Sequence, residues 1–249
     1  MTDIREIVAY CDTLLDSAAF TDYAPNGLQV EGERPINLLV SGVSASAALI
    51  EAAREAGADA ILVHHGWFWK GEDPRLVGTK GRRARAIFAS GMGLIAYHLP
   101  LDAHPGLGNN ITLARRLDLL DPAPADGQGL LWHGRLDPPL SPRHWADAVS
   151  RRLARPATLV EGGRDAISRV AWCTGGAQGY IERAAALGVD AYLSGEISEQ
   201  TTHLARELGI SYLAAGHHAT ERYGVQALAE HLAQHFGLHH RFIEIDNPA

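Results

Sequence analysis

With only two cysteines in 249 residues, the chain has no disulfide framework and no thiolate zinc site. Cys11 and Cys173 stand far apart and are read as buried free thiols. Long apolar runs are missing too: each hydrophobic stretch stops after a few residues at Gly, His, Asp or Ser, which excludes a membrane-spanning helix. The start, Met1-Thr2-Asp3-Ile4-Arg5-Glu6, is charged and leads into an amphipathic pattern (Ile4, Ile7, Val8, Cys11, Leu14, Leu15) without the apolar core of a signal peptide. A cytoplasmic location is expected. Positive charge is not in excess either. The net charge of −7 offers phosphate backbones no general attraction, so nucleic acid is a poor partner and a small-molecule substrate a better one. No Gly-x-x-x-x-Gly-Lys loop is present to cradle a triphosphate. What the chain has is apolar mass: 46% hydrophobic residues, enough for a large core in one α/β unit or two joined halves.

Periodicity places short buried strands at Ile36–Val40, Ala60–Val63, Ile167–Cys173 and Ala191–Leu193, with helical patterns at Ser44–Ala56 and Gln178–Leu187 stopped by Gly57 and Gly188. The segment Ile50–Leu62 aligns without gaps on Ile181–Leu193, sharing an Ile-Glu start and a Gly-x-Asp-Ala link, which points to an internal duplication. Each half continues with a helix and a strand, Arg82–Ser90 then Leu94–Tyr97, and Glu199–Leu208 then Ile210–Leu213. Strands alternating with helices predict an α/β fold of two similar halves with mixed, largely parallel sheets. The Pro/Gly-rich stretch Asp121–Gly127 marks a boundary, giving halves at 1–125 and 126–249. Gly129–Arg135 reads as a linking strand, Ser141-Pro142 as a helix start, Thr220–Phe236 as an amphipathic helix and Arg241–Ile245 as a closing strand.

In open α/β sheets ligands bind beyond the carboxyl ends of the strands. Here those ends carry His64-His65-Gly66, His98 with Asp102 beyond it, Ser194-Gly195-Glu196 and Gly216-His217-His218. Imidazole and carboxylate together suit zinc, iron, manganese or nickel rather than calcium. His217 and Glu221 are four apart at a helix start, so both side chains fall on one face. Adjacent His64 and His65 leave a regular strand on opposite sides, which two neighbouring ions use more naturally than one, with a carboxylate as bridge. His239-His240 precedes the final strand without a carboxylate at ligand spacing and is read as surface. His231 and His235, four apart on the last helix, fit a solvated face. His133, His144 and His203 stand isolated.

These motifs resemble the Nif-three-like family, whose members are often named GTP cyclohydrolase I type 2 homologues. The resemblance rests on Asp22–Gly32, His64–Gly71, His98–Pro105 with Gly108-Asn109-Asn110, Thr174-Gly175-Gly176, Ser194-Gly195-Glu196 and Gly216–Glu221. It implies two intertwined three-layer α/β/α halves, a dinuclear metal site between them, and a toroidal homohexamer built as a trimer of dimers. The metal ligands it implies are His64, His65, Asp102, His217 and Glu221, with Glu221 bridging two divalent ions per chain. His98 matches a position beside the metals.

The chemistry expected of such a centre is metal-assisted hydrolysis, with Glu196 or His98 moving the proton. On GTP, water would attack C8 of the purine; another cyclic amide would open in the same way. Lys70, Arg75, Lys80, Arg82 and Arg83 form a charged loop expected to be solvated, and Trp67-Phe68-Trp69 an aromatic run expected at a subunit interface. Two other readings stand beside it, the first on the same ligands. One is a non-enzymatic metal-binding or metal-delivery protein. The other is a ring around nucleic acid, gripped by Arg143, Arg151, Arg152 and Arg155, against which the net acidity argues.

Overall fold

The computed structural model describes residues Met1–Ala249. The chain folds into two compact units, Met1–Leu101 with Val225–Asp246, and Asp102–Gly224 with Asn247–Ala249. Neither unit is contiguous, so the division differs from a single cut after residue 125. The reason lies at the C-terminal end, where the last strand returns to the first sheet.

The first unit runs through α1 (Ile4–Leu14), β1 (Gly27–Val30), β2 (Leu38–Ser44), α2 (Ala47–Glu55), β3 (Ala60–His65), α3 (Gly78–Ser90) and β4 (Gly93–Ala96). The unit boundary then falls inside the short α4 (Leu99–Ala103). The second unit holds α5 (Asn109–Arg116), β5 (Leu120–Pro124), β6 (Trp132–Leu140), α6 (Pro142–Leu153), β7 (Thr158–Val160), β8 (Ile167–Trp172), α7 (Ile181–Ala186), β9 (Ala191–Ser194), α8 (Glu199–Leu208) and β10 (Ser211–Ala214). Finally α9 (His217–Phe236) begins in the second unit and ends in the first, where β11 (His239–Phe242) follows.

The first sheet has the order β1-β4-β3-β2-β11, parallel throughout except for β1 on β4. The second, β5-β6-β8-β9-β10-β7, keeps a parallel centre in β8-β9-β10 and antiparallel pairings around it. Both sheets are therefore mixed, the first largely parallel. Each unit has its own apolar core, with Leu49, Ile61 and Ile87 in the first and Trp145, Trp172 and Leu213 in the second.

The duplication reaches backbone register. Leu39 pairs with Ala60 in the first sheet, and at the aligned positions Val170 pairs with Ala191. The preceding helices stop at Gly57 and Gly188, whose φ values of +75° and +70° lie where a side chain is disfavoured. Asp59 Oδ2 then accepts the N–H groups of Asn37 and Leu38, and Asp190 Oδ2 those of Ser168 and Arg169. The halves differ after the second strand of the repeat. Between β3 and α3 the first carries the extra loop 66–77, whereas β9 passes to α8 within a few residues.

Several boundaries depart from the sequence expectation. The Pro/Gly-rich stretch is no interdomain linker, because Leu120–Pro124 pairs with β6 inside the second unit. Pro122 and Pro124 are accommodated because β5 is an edge strand, where a missing N–H costs little. The linking strand starts later, at Trp132, and α9 starts earlier, at His217, so that both His217 and Glu221 are helical. At α6 the structure agrees with the sequence: Ser141 Oγ accepts the His144 N–H at 3.3 Å, with Pro142 in the first turn. No helix is long and apolar enough to cross a membrane.

Candidate functional site

In the first unit, β3 delivers His64 and His65, and the end of β4 delivers His98. The neighbouring strands are parallel and in register, so their carboxyl ends emerge side by side. His64 is fully buried, and its Nδ1 lies 2.9 Å from the Tyr97 carbonyl oxygen. A carbonyl only accepts, so Nδ1 carries the proton, and it is Nε2 that a neutral ring would offer to a metal. His65 Nδ1 lies 3.0 Å from Ser44 Oγ. Despite the alternation expected of a strand, the two rings have centroids 4.6 Å apart, because β3 ends at His65. One ring nitrogen from each of His64, His65 and His98 falls within 4.8 Å of the others, which makes His98 a member of the cluster.

Asp22 fixes His98. Its Oδ1 lies 2.7 Å from His98 Nδ1, while Oδ2 accepts from the Leu99 N–H and from Asn26 Nδ2, each at 2.9 Å. Burial by itself would raise the Asp22 carboxyl, but the His98 ring, Asn26 and the Tyr23 N–H outweigh it and hold it down at about 2.

In the second unit, Asp102 and Glu221 are buried, at 6% and 3% exposure, with carboxylate oxygens within 4.8 Å of each other. Asp102 Oδ1 accepts from Asn109 Nδ2 at 2.8 Å and from Thr174 Oγ1 at 3.3 Å. Asn109 in turn accepts the Gly224 N–H at 2.9 Å, so one side chain holds the Asp102 loop to α9. One turn along α9, His217 Nε2 lies 3.1 Å from Glu221 Oε2, and His217 Nδ1 lies 2.7 Å from Glu196 Oε1. Burial pulls the His217 ring down, but the two carboxylates on either side prevail and raise it to about 9.

Two glycines make this packing possible. Gly175 has φ +69°, and a Cβ there would overlap the Glu221 carboxylate and sit 3.1 Å from His217 Nε2. A Cβ at Gly195 would sit 2.6 Å from the Gly175 carbonyl oxygen and 2.7 Å from the His217 backbone. The Thr-Gly-Gly and Ser-Gly-Glu motifs are thus the strand ends that let α9 approach.

Each residue singled out from the sequence falls in one of these two groups: His64, His65 and His98 in the first unit, and Asp102, Glu196, His217 and Glu221 in the second. Glu196 contacts the far side of the His217 ring, which is an orienting position. Asp22, Ser44, Asn109 and Thr174, to which the sequence assigned no role, set the geometry of the others.

Some of the other expectations change and some hold. His240 is half-buried within β11 rather than on the surface, with Nε2 2.8 Å from Ser41 Oγ. Tyr10 hydrogen bonds to His231 at 2.7 Å and stacks on His235 at 4.1 Å, so this pair belongs to an aromatic contact. Trp67 is core, 5% exposed, and donates its indole N–H to the Ala45 carbonyl. The charged loop is paired within itself, Arg75 with Asp73 and Lys80 with Glu72. Of the α6 arginines, Arg143 pairs with Glu161 and Arg152 with Asp118, and beyond the helix Arg155 donates to the Pro248 carbonyl. Both cysteines are buried and unbridged; burial pushes the Cys11 thiol up to about 12.

A model of the Duf34/NIF3 (NGG1p interacting factor 3) family matches residues 2–248. A GTP cyclohydrolase 1 type 2 homolog of Allochromatium vinosum is 69% identical, spanning 100% of this chain and 98% of the relative. The protein of the same name from Escherichia coli K12 is 49% identical, over 100% of this chain and 99% of its own length. Among solved structures, protein ybgI, titled as of unknown function, has a TM-score of 0.96 at 46% identity and full coverage of both chains (100% and 100%). TTHA1606 from Thermus thermophilus gives 0.90 at 35% identity, with 100% and 99% covered.

Proposed function

Starting from a chain that belongs to the Duf34/NIF3 family, we propose a metal-dependent hydrolase that opens a purine or another cyclic amide. The proposed ligands are His64, His65, Asp102, His217 and Glu221. These residues would hold two divalent ions per chain. The observation that carries this reading is the buried carboxylate pair, Asp102 and Glu221, with oxygens within 4.8 Å of each other. Two like charges so close in a poorly solvated setting repel strongly, and a divalent cation turns that repulsion into attraction. The donor set is consistent: neutral imidazole nitrogens and carboxylate oxygens fit zinc, iron, manganese or nickel. The names of the curated relatives support a hydrolytic reading at family level.

The ions would supply a water of lowered pKa and polarise the amide carbonyl. The chain's own residues orient and move protons around them. The Tyr97 carbonyl fixes the His64 tautomer, Asn109 and Thr174 aim Asp102, and Glu196 holds the His217 ring from behind. His98, backed by Asp22 at 2.7 Å, is the group proposed to carry a proton to the leaving nitrogen. The same reading includes a homohexameric ring, which a solution mass of six chains would support.

Metal analysis of protein purified without chelator tests the centre. About two ions per chain are expected, the number the proposal itself states. Glu221→Ala should lower that occupancy and abolish amide opening in a screen of cyclic amides with the native metal. Occupancy far below two in the unsubstituted protein sinks the dinuclear centre.

A further inference from the structure

Beside the histidine cluster, the first unit carries a half-open cavity of about 380 Å³. It is lined by Gly66, Trp69, Thr79 and Arg83 together with the charged Glu72, Asp73, Arg75 and Lys80. The 66–77 loop is the segment that the second half of the duplication lacks. It begins immediately after His65, at a Gly66 whose Cβ would lie 2.6 Å from the Ala96 Cβ, so the backbone is pressed against the sheet there. Trp67 then turns into the core, Phe68 takes a left-handed φ of +66°, and Trp69 faces the cavity. The Trp69 ring stands edge-on to His98 at 5.0 Å and lies 5.9 Å from His65. A ligand in the cavity therefore touches the same indole that touches the histidines.

The charges sort themselves. Arg75 is matched by Asp73 at 2.6 Å and Lys80 by Glu72 at 3.3 Å, leaving Arg83 as the remaining cationic side chain of the lining. Its Nε is buried without a hydrogen-bond partner. No carboxylate pairs with Arg83, so as a lining residue its guanidinium is the cation left to meet an anionic oxygen in the cavity.

We propose that this cavity is the substrate pocket and takes a planar, singly anionic cyclic amide, with the anionic oxygen on Arg83 and the ring along Trp69. The proposal rests on the hydrolase reading above and narrows it. One unmatched guanidinium suits a carboxylate-bearing ring and not the several charges of a nucleoside triphosphate.

The test uses orotate, a planar cyclic amide bearing one carboxylate, against uracil, the same ring without it, and GTP. Calorimetric titration of the metal-loaded protein should show orotate binding at least about tenfold more tightly than uracil, since a site built for an acceptor rejects an analogue lacking it. Arg83→Gln should erase that preference with metal content unchanged, Arg83→Lys should keep part of it, and Arg82→Gln on the exposed side of α3 should keep all of it. Equal affinities for orotate and uracil, tighter binding of GTP than of orotate, or an Arg83→Gln protein that keeps the preference would each overturn the proposal. Should Arg83→Gln fail to fold, the native ratio and the Arg83→Lys protein still decide. Full metal occupancy without discrimination removes the pocket and leaves the metal centre; discrimination without metal does the reverse.

Discussion

Asp22 shows how much of the site depends on residues that touch no reacting group. One carboxylate receives the His98 ring, the Leu99 N–H and the Asn26 amide, so it fixes both the imidazole and the turn into α4. Its pKa of about 2 against an ordinary 3.8 makes it a stability term with a defined sign. The folded value is depressed, so the contribution is complete above about pH 4 and is lost as the pH falls toward 2. From that shift it is worth about 2 kcal/mol, and the side chain is only 3% exposed, so screening removes little of it. Asp22→Asn should lower stability at pH 7 by about 1–3 kcal/mol and flatten the urea-unfolding profile between pH 4 and 2. A variant as acid-sensitive as the parent would show that the carboxylate is not held this way. At this scale the sequence was legible where the residue type was rare. Histidines and carboxylates at four strand ends stand out against the apolar runs before them. Asp22, Asn109, Thr174 and Ser44 do not, because common polar residues acting through single hydrogen bonds leave no spacing or periodicity to read.

The elements show which physical signals survive in a sequence. The central strands and their helices were legible because burial on both faces demands continuous apolar runs, and because the Gly-x-Asp-Ala link appears in both halves. The link now has a physical role: glycine ends the helix with a positive φ, and aspartate clamps the start of the preceding strand. Asp59 and Asp190 each accept two backbone N–H groups. Asp59→Ala and Asp190→Ala should therefore each cost about 2–4 kcal/mol, two backbone groups losing their acceptor in each case. Thermal melts and urea titrations of the single variants check this. A cost below about 1 kcal/mol at one position only would mean that water replaces the clamp there, and that the two halves are not held by the same device. The edge strands were not legible. β7 has three residues, and β5 contains Pro122 and Pro124, which read as a connector because proline is excluded from central strands but tolerated at an edge.

At the scale of the molecule, the chain passes between its compact units three times, at Leu101/Asp102, at Gly224/Val225 and at Asp246/Asn247. The second passage lies within α9, whose first turns carry His217 and Glu221 and whose later residues Val225, Leu228 and Leu232 are buried. Sequence order hides this, because a closing strand read at the C-terminal end carries no mark of the sheet it joins. Proposed metal ligands as far apart in the sequence as His64 and Glu221 are not preassembled in an unfolded chain, so binding adds directly to folding free energy, about 2.7 kcal/mol at a hundredfold excess over Kd. Stripping the metal should lower the melting temperature, and re-adding it should restore the loss in proportion to the logarithm of its concentration. Protons compete in a predictable direction. In the metal-free protein His217 titrates at about 9, so below that pH metal uptake must displace its proton. Apparent affinity should rise with pH up to about 9, by at most about tenfold per unit for this one group, and level off above it. His217→Ala should remove that part of the slope. Metal titrations at several pH values, followed by thermal shift, measure both effects. A melting temperature indifferent to chelation would separate folding from metal binding, and an affinity unchanged across that range would remove His217 from the ligand set.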